Sequence, residues 1–265
     1  MILRDTHLRY SVCITTRNNI ATIENSLRSI VGQLDRDFEV IVVDSKSDDG
    51  SAEVLRRFEK EGRIRLIELK CSRGRGRQVA LEASKGEVII SNLDTDEVYS
   101  PSLSSLLGTY DALGHGGVLL AISSSSKEER ERQNITIGTR ELLQEIGGWR
   151  DVNYGEDWDL WRRAAERGRF SIVVFPLVTG ADPSPEKTSK TLRKLRLRYT
   201  RYVSLMQLGR PVFQRGSRIT YAQWGVFAVA RIAALFKPKY AKNAEFDCYD
   251  PKFLVQATAE TDRTG

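Results

Sequence analysis

Short apolar, β-branched runs alternate along this chain with segments whose apolar residues recur every three or four positions. Tyr10-Ser11-Val12-Cys13-Ile14-Thr15, Phe38-Glu39-Val40-Ile41-Val42-Val43, Arg65-Leu66-Ile67-Glu68-Leu69, the run from Val88 to Leu93 and the run from Val118 to Ile122 predict strands. Between them, Ile23, Leu27, Ile30 and Leu34 share one helical face; Val54, Leu55 and Phe58 do so after Ser51, and Leu103, Leu106 and Leu107 after Pro101. A further helix is expected around Val79 to Ala83. This alternation predicts an α/β fold: a mostly parallel, Rossmann-like sheet wound by right-handed crossovers and flanked by helices.

In such a sheet ligands gather beyond the carboxyl ends of the strands. Three polar clusters fall there: Thr15-Thr16-Arg17-Asn18, Asp44-Ser45-Lys46-Ser47-Asp48 and Asp94-Thr95-Asp96. Alternate residues of an extended segment point the same way, so Asp94 and Asp96 can aim at one point. Two hard oxygen ligands, with other positions left to water and phosphate, suit Mg²⁺ or Mn²⁺ beside a diphosphate; a solvated Asp-rich turn is the plainer alternative. The chain has neither a GxGxxG loop after its first strand nor a GxxxxGKS/T loop. A diphosphate therefore needs a metal and basic side chains, and the basic, glycine-rich loop from Cys71 to Arg77 offers Arg75 and Arg77.

A second acidic cluster, Gly155-Glu156-Asp157-Trp158-Asp159-Leu160-Trp161, follows Ile146-Gly147-Gly148-Trp149 and opens a helix expected to run to Gly168. Acids in a first helical turn also serve the helix dipole. Neighbouring helical residues face different ways, however, so Asp157 can project into a pocket while Glu156 faces elsewhere. Trp158 or Trp161 would then form an apolar wall, against which a partly desolvated carboxylate becomes a better general base.

Composition narrows the class. The 265 residues suffice for one large α/β domain and an appendage. Three cysteines without a CxxC pair and two histidines leave no zinc site or disulfide framework, which points to a reducing compartment. Met1 is followed by Arg4 and Asp5 rather than an apolar stretch, so no secretory signal is expected. The net charge of +6 is unevenly spread: Lys187 to Gly265 carries 16 Lys and Arg against 5 Asp and Glu, whereas Met1 to Glu186 carries 25 against 30. The change falls near the turn-rich Asp182-Pro183-Ser184-Pro185. The expected division is a catalytic domain over residues 1–182, a basic amphipathic helical extension over 183–250 and a disordered tail over 251–265.

A basic extension suits phosphate-bearing partners, an anionic membrane surface or nucleic acid. With no recognisable nucleic-acid module, nucleic acid is not expected. Leu192, Leu195, Leu197, Tyr199, Tyr202 and Leu205 give Lys187 to Arg218 the pattern of an amphipathic helix. The apolar stretch Trp224 to Phe236 has 13 residues with Arg231 inside it, too few to span a bilayer. It either docks on the domain or lies in a membrane interface with Trp224 and Phe227 buried. The polar run from Ser123 to Arg130 is expected to be a mobile loop, and Asn134-Ile135-Thr136 matches a glycosylation sequon with no meaning in the cytosol.

Taken as a set over about residues 8–180, several segments in this order and spacing resemble the family 2 glycosyltransferases. They are Ser11-Val12-Cys13-Ile14-Thr15-Thr16-Arg17-Asn18, Glu39 to Ser51, Arg77, Asp94-Thr95-Asp96, Gly147-Gly148-Trp149 and the Glu156-Asp157 segment. The resemblance implies a GT-A fold and inverting transfer from a nucleotide-sugar donor. By position it implies Thr15, Arg17 and Asp44 around the nucleoside, with Asn18, Ser45 and Thr95 beside them. Arg77, aided by Arg75, would approach the base or diphosphate. Asp94 would sit by the ribose and sugar, and Asp96 would hold Mn²⁺ or Mg²⁺. Asp157 would deprotonate an acceptor hydroxyl on a glycan, glycolipid or lipid, Glu156 would position it, and Trp149 and Trp158 would flank it. Many members have a second Asp, which reads the uracil ring, where this chain has Ser45, and a glycine at Lys46; this weighs against uridine and keeps guanosine and thymidine diphosphosugars open. Transfer to a lipid phosphate, which needs no base, a nucleotidyltransferase activity and a non-catalytic sugar-nucleotide scaffold are the alternatives. The expected place is the cytoplasm, including the cytoplasmic membrane face.

Overall fold

The computed structural model of the chain describes residues 8–123, 134–181, 190–213, 219–241 and 246–255. Its elements are β1 (Tyr10–Thr16), α1 (Ile23–Val31), β2 (Phe38–Asp44), α2 (Ser51–Lys60), β3 (Arg65–Glu68), α3 (Arg73–Ala83), β4 (Val88–Leu93), β5 (Glu97–Tyr99), α4 (Leu103–Ala112), β6 (Val118–Ser123), β7 (Asn134–Thr139), α5 (Arg140–Glu145), α6 (Glu156–Ala165), β8 (Phe170–Phe175), β9 (Val178–Ala181), α7 (Lys190–Gln207) and α8 (Tyr221–Leu235).

The main sheet runs β3-β2-β1-β4-β7-β6-β8. Only β7 is antiparallel to its neighbours; the other pairs are parallel. Alternate residues feed two cores. Val12, Ile14, Val88 and Ile90 pack with α1, α2 and α4, whereas Cys13, Ile41, Val43 and Ile89 pack with α3, α5 and α6. Burial on both faces explains why these strands read as continuous apolar runs. The five expected strands lie where the patterning places them. β5, β7, β8 and β9 were not expected; β5 and β9 have only 3 and 4 residues, and β7 begins at the glycosylation sequon.

Register sets the functional edge. Thr16 is level with Asp44, and Asp44 with Glu68. The β1–β4 register shifts so that Ile14 pairs with Leu93, and Asn92 takes a left-handed φ of 70°. This bulge re-aims the chain just before Asp94.

The segment Arg73 to Arg77 is not a loop, as expected from its glycines, but the first turns of α3, capped by the Ser72 hydroxyl, which accepts from Arg75 N–H. The glycines serve close approach. A Cβ on Gly74 would lie 1.9 Å from the Arg150 carbonyl oxygen, and one on Gly76 would lie 3.0 Å from Thr15 Cγ2.

Beyond the sheet, α7 and α8 pack on each other and on the domain. Tyr240 N–H donates to the Gln207 carbonyl at 2.7 Å, and Trp158 Nε1 to the Phe246 carbonyl at 2.9 Å. Residues 251–255 form a short 3₁₀ turn followed by a bridge from Leu254 to Ile172 of β8, so the expected disordered tail does not begin at 251. The polar run after Ser123, the linker around Pro183 and residues 256–265 lie outside the described residues. Among the described residues no helix is long and apolar enough to cross a membrane.

Candidate active site

A cleft of about 320 Å³ opens at the carboxyl edge of β1, β2 and β4, closed on one side by the start of α3. Thr15, Arg17, Ser45, Asp94, Thr95 and Asp96 line it. Its floor is organised by short polar contacts. Thr95 exchanges a 2.8 Å hydrogen bond with Thr16 and accepts one from Asn19 Nδ2 at 2.5 Å. Thr22 Oγ1 donates to the Thr95 carbonyl, and Ser26 Oγ and Tyr99 O–H donate to that of Asp94. The acidic turn is thus fixed by its backbone, leaving its carboxylates toward solvent.

Asp94, Asp96 and Glu97 each present an oxygen within 4.8 Å of the others. The carboxylates of Asp94 and Asp96 accept no hydrogen bond from the described residues and are exposed. Unshared, convergent, hard oxygen donors fit a divalent cation. Glu97 was visible in the sequence as the third acid of the run but was not assigned a role. Asp94 is open at the cleft mouth, yet protein crowds it. Desolvation, joined by the charges of Asp96 and Asp157, raises its pKa against the opposing pull of Arg77 and Arg73.

Other predicted residues stand beside the cleft rather than in its lining. Asp44 is fully buried and accepts from Ser47 N–H at 2.9 Å and Ser47 O–H at 2.5 Å, shaping the turn after β2. Asn18 ties that turn to β1, donating to Asp48 Oδ1 at 2.8 Å and accepting from Asp48 N–H at 3.0 Å. Ser45 does line the cleft, but its hydroxyl donates to the Cys71 carbonyl at 2.8 Å and accepts from Cys71 N–H at 3.2 Å. Arg75 turns away along α3 to Glu82, 3.2 Å distant. Arg73, Asn19, Cys71, Ser72, Gly76 and Asn153 line the cleft without having been singled out. The missing signal was the helical start at Arg73, which places Arg73 and not Arg75 on the cleft side.

Behind the cleft the second acidic cluster closes in. Arg77 is buried and reaches both carboxylates that open α6: Glu156 Oε1 at 2.8 Å, and Asp157 Oδ2. Glu156 and Asp157 therefore meet at one guanidinium instead of facing different ways. Burial, then the Asp157 charge, raises the Glu156 pKa against the pull of Arg77. Burial works against the charge on Arg77, but Asp157, Glu156 and Asp94 outweigh it and push its pKa up. Asp94 and Asp157 thus act on one another and on the same cation, so the two acidic clusters form one electrostatic site.

The tryptophans have different places. Trp149 is buried and its Nε1 donates to Asp157 Oδ1 at 2.8 Å. Its turn carries two left-handed glycines, Gly147 and Gly148, with φ of 86° and 57°. Arg163 holds the turn, donating to the carbonyls of Ile146 and Gly148 while paired with buried Asp159 at 2.9 Å. Trp158 lies in the core under the Arg210 guanidinium, 3.9 Å above its ring, and Trp161 donates to Thr136 at 3.0 Å. Neither of these two forms a wall of the cleft.

The profile described as Glycosyl transferase family 2 matches residues 11–175, from β1 to the end of β8. The chain belongs to glycosyl transferase family 2. An uncharacterized glycosyltransferase, YfnE, of Bacillus subtilis (strain 168) is 33% identical over 99 residues, which are 36% of this chain. The matched stretch spans about a quarter of the length of the curated relatives. Among solved structures, the mannosyltransferase PcManGT from Pyrobaculum calidifontis, in complex with GDP-Man and Mn²⁺, is similar with a TM-score of 0.55 and 21% identity. That likeness covers 88% of this chain and 76% of the other. Glucosyl-3-phosphoglycerate synthase from Mycobacterium tuberculosis, with Mn²⁺, UDP-Glc and phosphoglyceric acid, is similar with a TM-score of 0.57 and 19% identity, over 80% and 83% of the two chains. The mostly parallel sheet flanked by helices is the GT-A fold of these glycosyltransferases.

Proposed function

We propose that this family member transfers a sugar, with inversion, from a nucleoside diphosphate donor to a hydroxyl of a glycan, glycolipid or lipid, in a reaction that depends on a divalent cation. The observation that carries this reading is the carboxylate cluster of Asp94, Asp96 and Glu97 at the cleft, with Glu156 and Asp157 held by Arg77 behind it. One cluster is free for a cation; the other is held in place.

The cleft between β1, β2 and α3 takes the nucleoside, with Thr15 and Arg17 along it. Asp96 and Asp94, with Glu97, would hold Mn²⁺ or Mg²⁺, which when bound neutralises charge growing on the diphosphate. Arg73, at the N-terminal end of α3, serves the same diphosphate through its own charge. Asp157 accepts the acceptor hydroxyl's proton as that oxygen attacks the anomeric carbon from the face opposite the diphosphate. The bond to the diphosphate breaks, and its electron pair leaves on the diphosphate oxygen. Arg77 and Trp149 hold the Asp157 carboxylate in position, and Glu156 shares the guanidinium. GDP-Man and UDP-Glc in the similar mannosyltransferase and synthase support a diphosphosugar donor, and Mn²⁺ in both supports the cation.

Calorimetric titration of the protein with UDP, GDP and dTDP, each with and without Mn²⁺, tests this reading and assigns the base. One nucleotide is expected to bind tightly only with the cation, and Asp96→Ala to lose that dependence together with affinity. Binding of none, or unchanged Mn²⁺-dependent binding in Asp96→Ala, overturns it.

A further inference from the structure

The helix pair beyond the sheet ends in a surface that sugar transfer does not use. α8 packs on α7 through Val226, Phe227, Ala230 and Ala233, against Tyr202, Val203 and Met206. Helical spacing turns Tyr221, Trp224, Ala228, Ile232 and Leu235 to the other side. Trp224, Ile232, Leu235 and Phe236 are 51%, 62%, 68% and 84% exposed. Arg231, the one charged residue of α8, is exposed at the margin of its solvent-facing half, which is otherwise uncharged.

Beside this apolar face runs a groove of about 500 Å³ between the end of α7 and α8. Arg210, Arg231 and Lys239 line it, and Leu235 belongs to both groove and face. Among the described residues no carboxylate lines the groove, and none pairs with these three cations. Three cations with no carboxylate partner among the described residues want anionic oxygen, and an adjoining apolar helix face wants apolar surface. A second copy of the chain meets only half of this requirement, since a two-fold contact would set cations against cations. An anionic bilayer meets both: lipid phosphates for the groove, and the headgroup–acyl boundary for the aromatic and aliphatic side chains.

We propose that α8 and the Arg210/Arg231/Lys239 groove dock the protein on an anionic lipid bilayer. Trp224, Ile232, Leu235 and Phe236 enter the interface, while Phe227, an expected membrane contact, is turned into the α7–α8 packing. Docking is joined to the cleft through the chain. The hydroxyl of Ser204, near the end of α7, accepts from the N–H of the cleft residue Asn153 at 3.3 Å, and Arg210 covers Trp158 of α6. The bound surface thus lies at the root of the segment that carries Glu156 and Asp157.

The test is flotation of the full chain with phosphatidylcholine vesicles, with and without phosphatidylglycerol, and it is independent of any sugar chemistry. Anionic vesicles are expected to float the protein and neutral ones to float it weakly. Arg231→Gln with Lys239→Gln should lower partitioning about fivefold or more per cation removed. Ile232→Ser with Phe236→Ser should release the protein from both vesicle types. Both double variants replace exposed side chains, and an unchanged thermal midpoint shows that each is folded. No flotation of the unsubstituted chain, or flotation indifferent to both double variants, overturns the proposal. So does a concentration-dependent dimer that Ile232→Ser with Phe236→Ser dissociates.

Discussion

The indole N–H of Trp149 donates to Asp157 Oδ1 at 2.8 Å, while Arg77 holds the other oxygen of the same carboxylate. The acid at the start of α6 is thus fixed from two sides by residues of two other segments. Trp149→Phe keeps the packing and removes the N–H. A lost hydrogen bond to a charged group corresponds to a fall in kcat of roughly 10- to 100-fold. Donor KM and thermal midpoint should stay put, which separates positioning from structural damage. An unchanged kcat in steady-state assays would show that the indole only packs.

Asp157→Asn keeps the shape and removes the base. Transfer is expected to fall by roughly 10²–10⁴, with donor affinity in calorimetry preserved. Near-normal turnover would assign the proton to another group.

Arg77→Met should destabilise the protein by about 3–5 kcal/mol, because it leaves buried Glu156 and half-buried Asp157 as uncompensated charges. The sign with pH follows from Glu156, whose pKa burial raises. A protonated Glu156 carries no such penalty, so the loss is small at acid pH and grows as pH rises through the raised value. Denaturant titrations at acid and neutral pH check this. Adding Glu156→Gln and Asp157→Asn to Arg77→Met should restore most of the lost stability.

The raised pKa of Asp94 bears on cation binding. Mn²⁺ needs the ionised carboxylate, so affinity is present above that pKa and is lost as pH falls through it. The loss should begin at a higher pH than for an ordinary aspartate, and Asp94→Asn should flatten the profile while weakening binding throughout. An affinity independent of pH in the mildly acid range would remove Asp94 from the cation's ligands.

Two glycines within helices predict opposite outcomes. Gly74→Ala drives a Cβ to within 1.9 Å of the Arg150 carbonyl oxygen, which should cost about 1–3 kcal/mol and weaken nucleotide binding by displacing the cleft wall. Gly108 in α4 meets no atom within 4 Å, and Gly108→Ala should stabilise by about 0.5–1 kcal/mol. Thermal melts of the two variants check the contrast.

The sequence by itself determined the β1–β4 layer, because strands buried on both faces must be apolar throughout and the helices between them must carry an apolar stripe. It also placed Asp94 and Asp96 together, since residues two apart stay close even in the turn that Thr95 and Asp96 form in place of the expected extended chain. Tertiary structure decided what is set by contacts between distant segments. The apparent glycine loop is the start of α3, capped by Ser72 and packed closely under Arg150, which brought Arg73 to the cleft and sent Arg75 outward. Packing of α3 on α6 gave Arg77 to Glu156 and Asp157, 79 and 80 residues away. The Gly147-Gly148 turn, clamped by Arg163, gave Trp149 to Asp157 and left Trp158 in the core. Local pattern records which residues must be buried or paired, because burial and helix or strand period act over a few residues. Which partner each buried charge meets is decided by the packing of whole helices on the sheet, and no short stretch of sequence contains both halves of that contact.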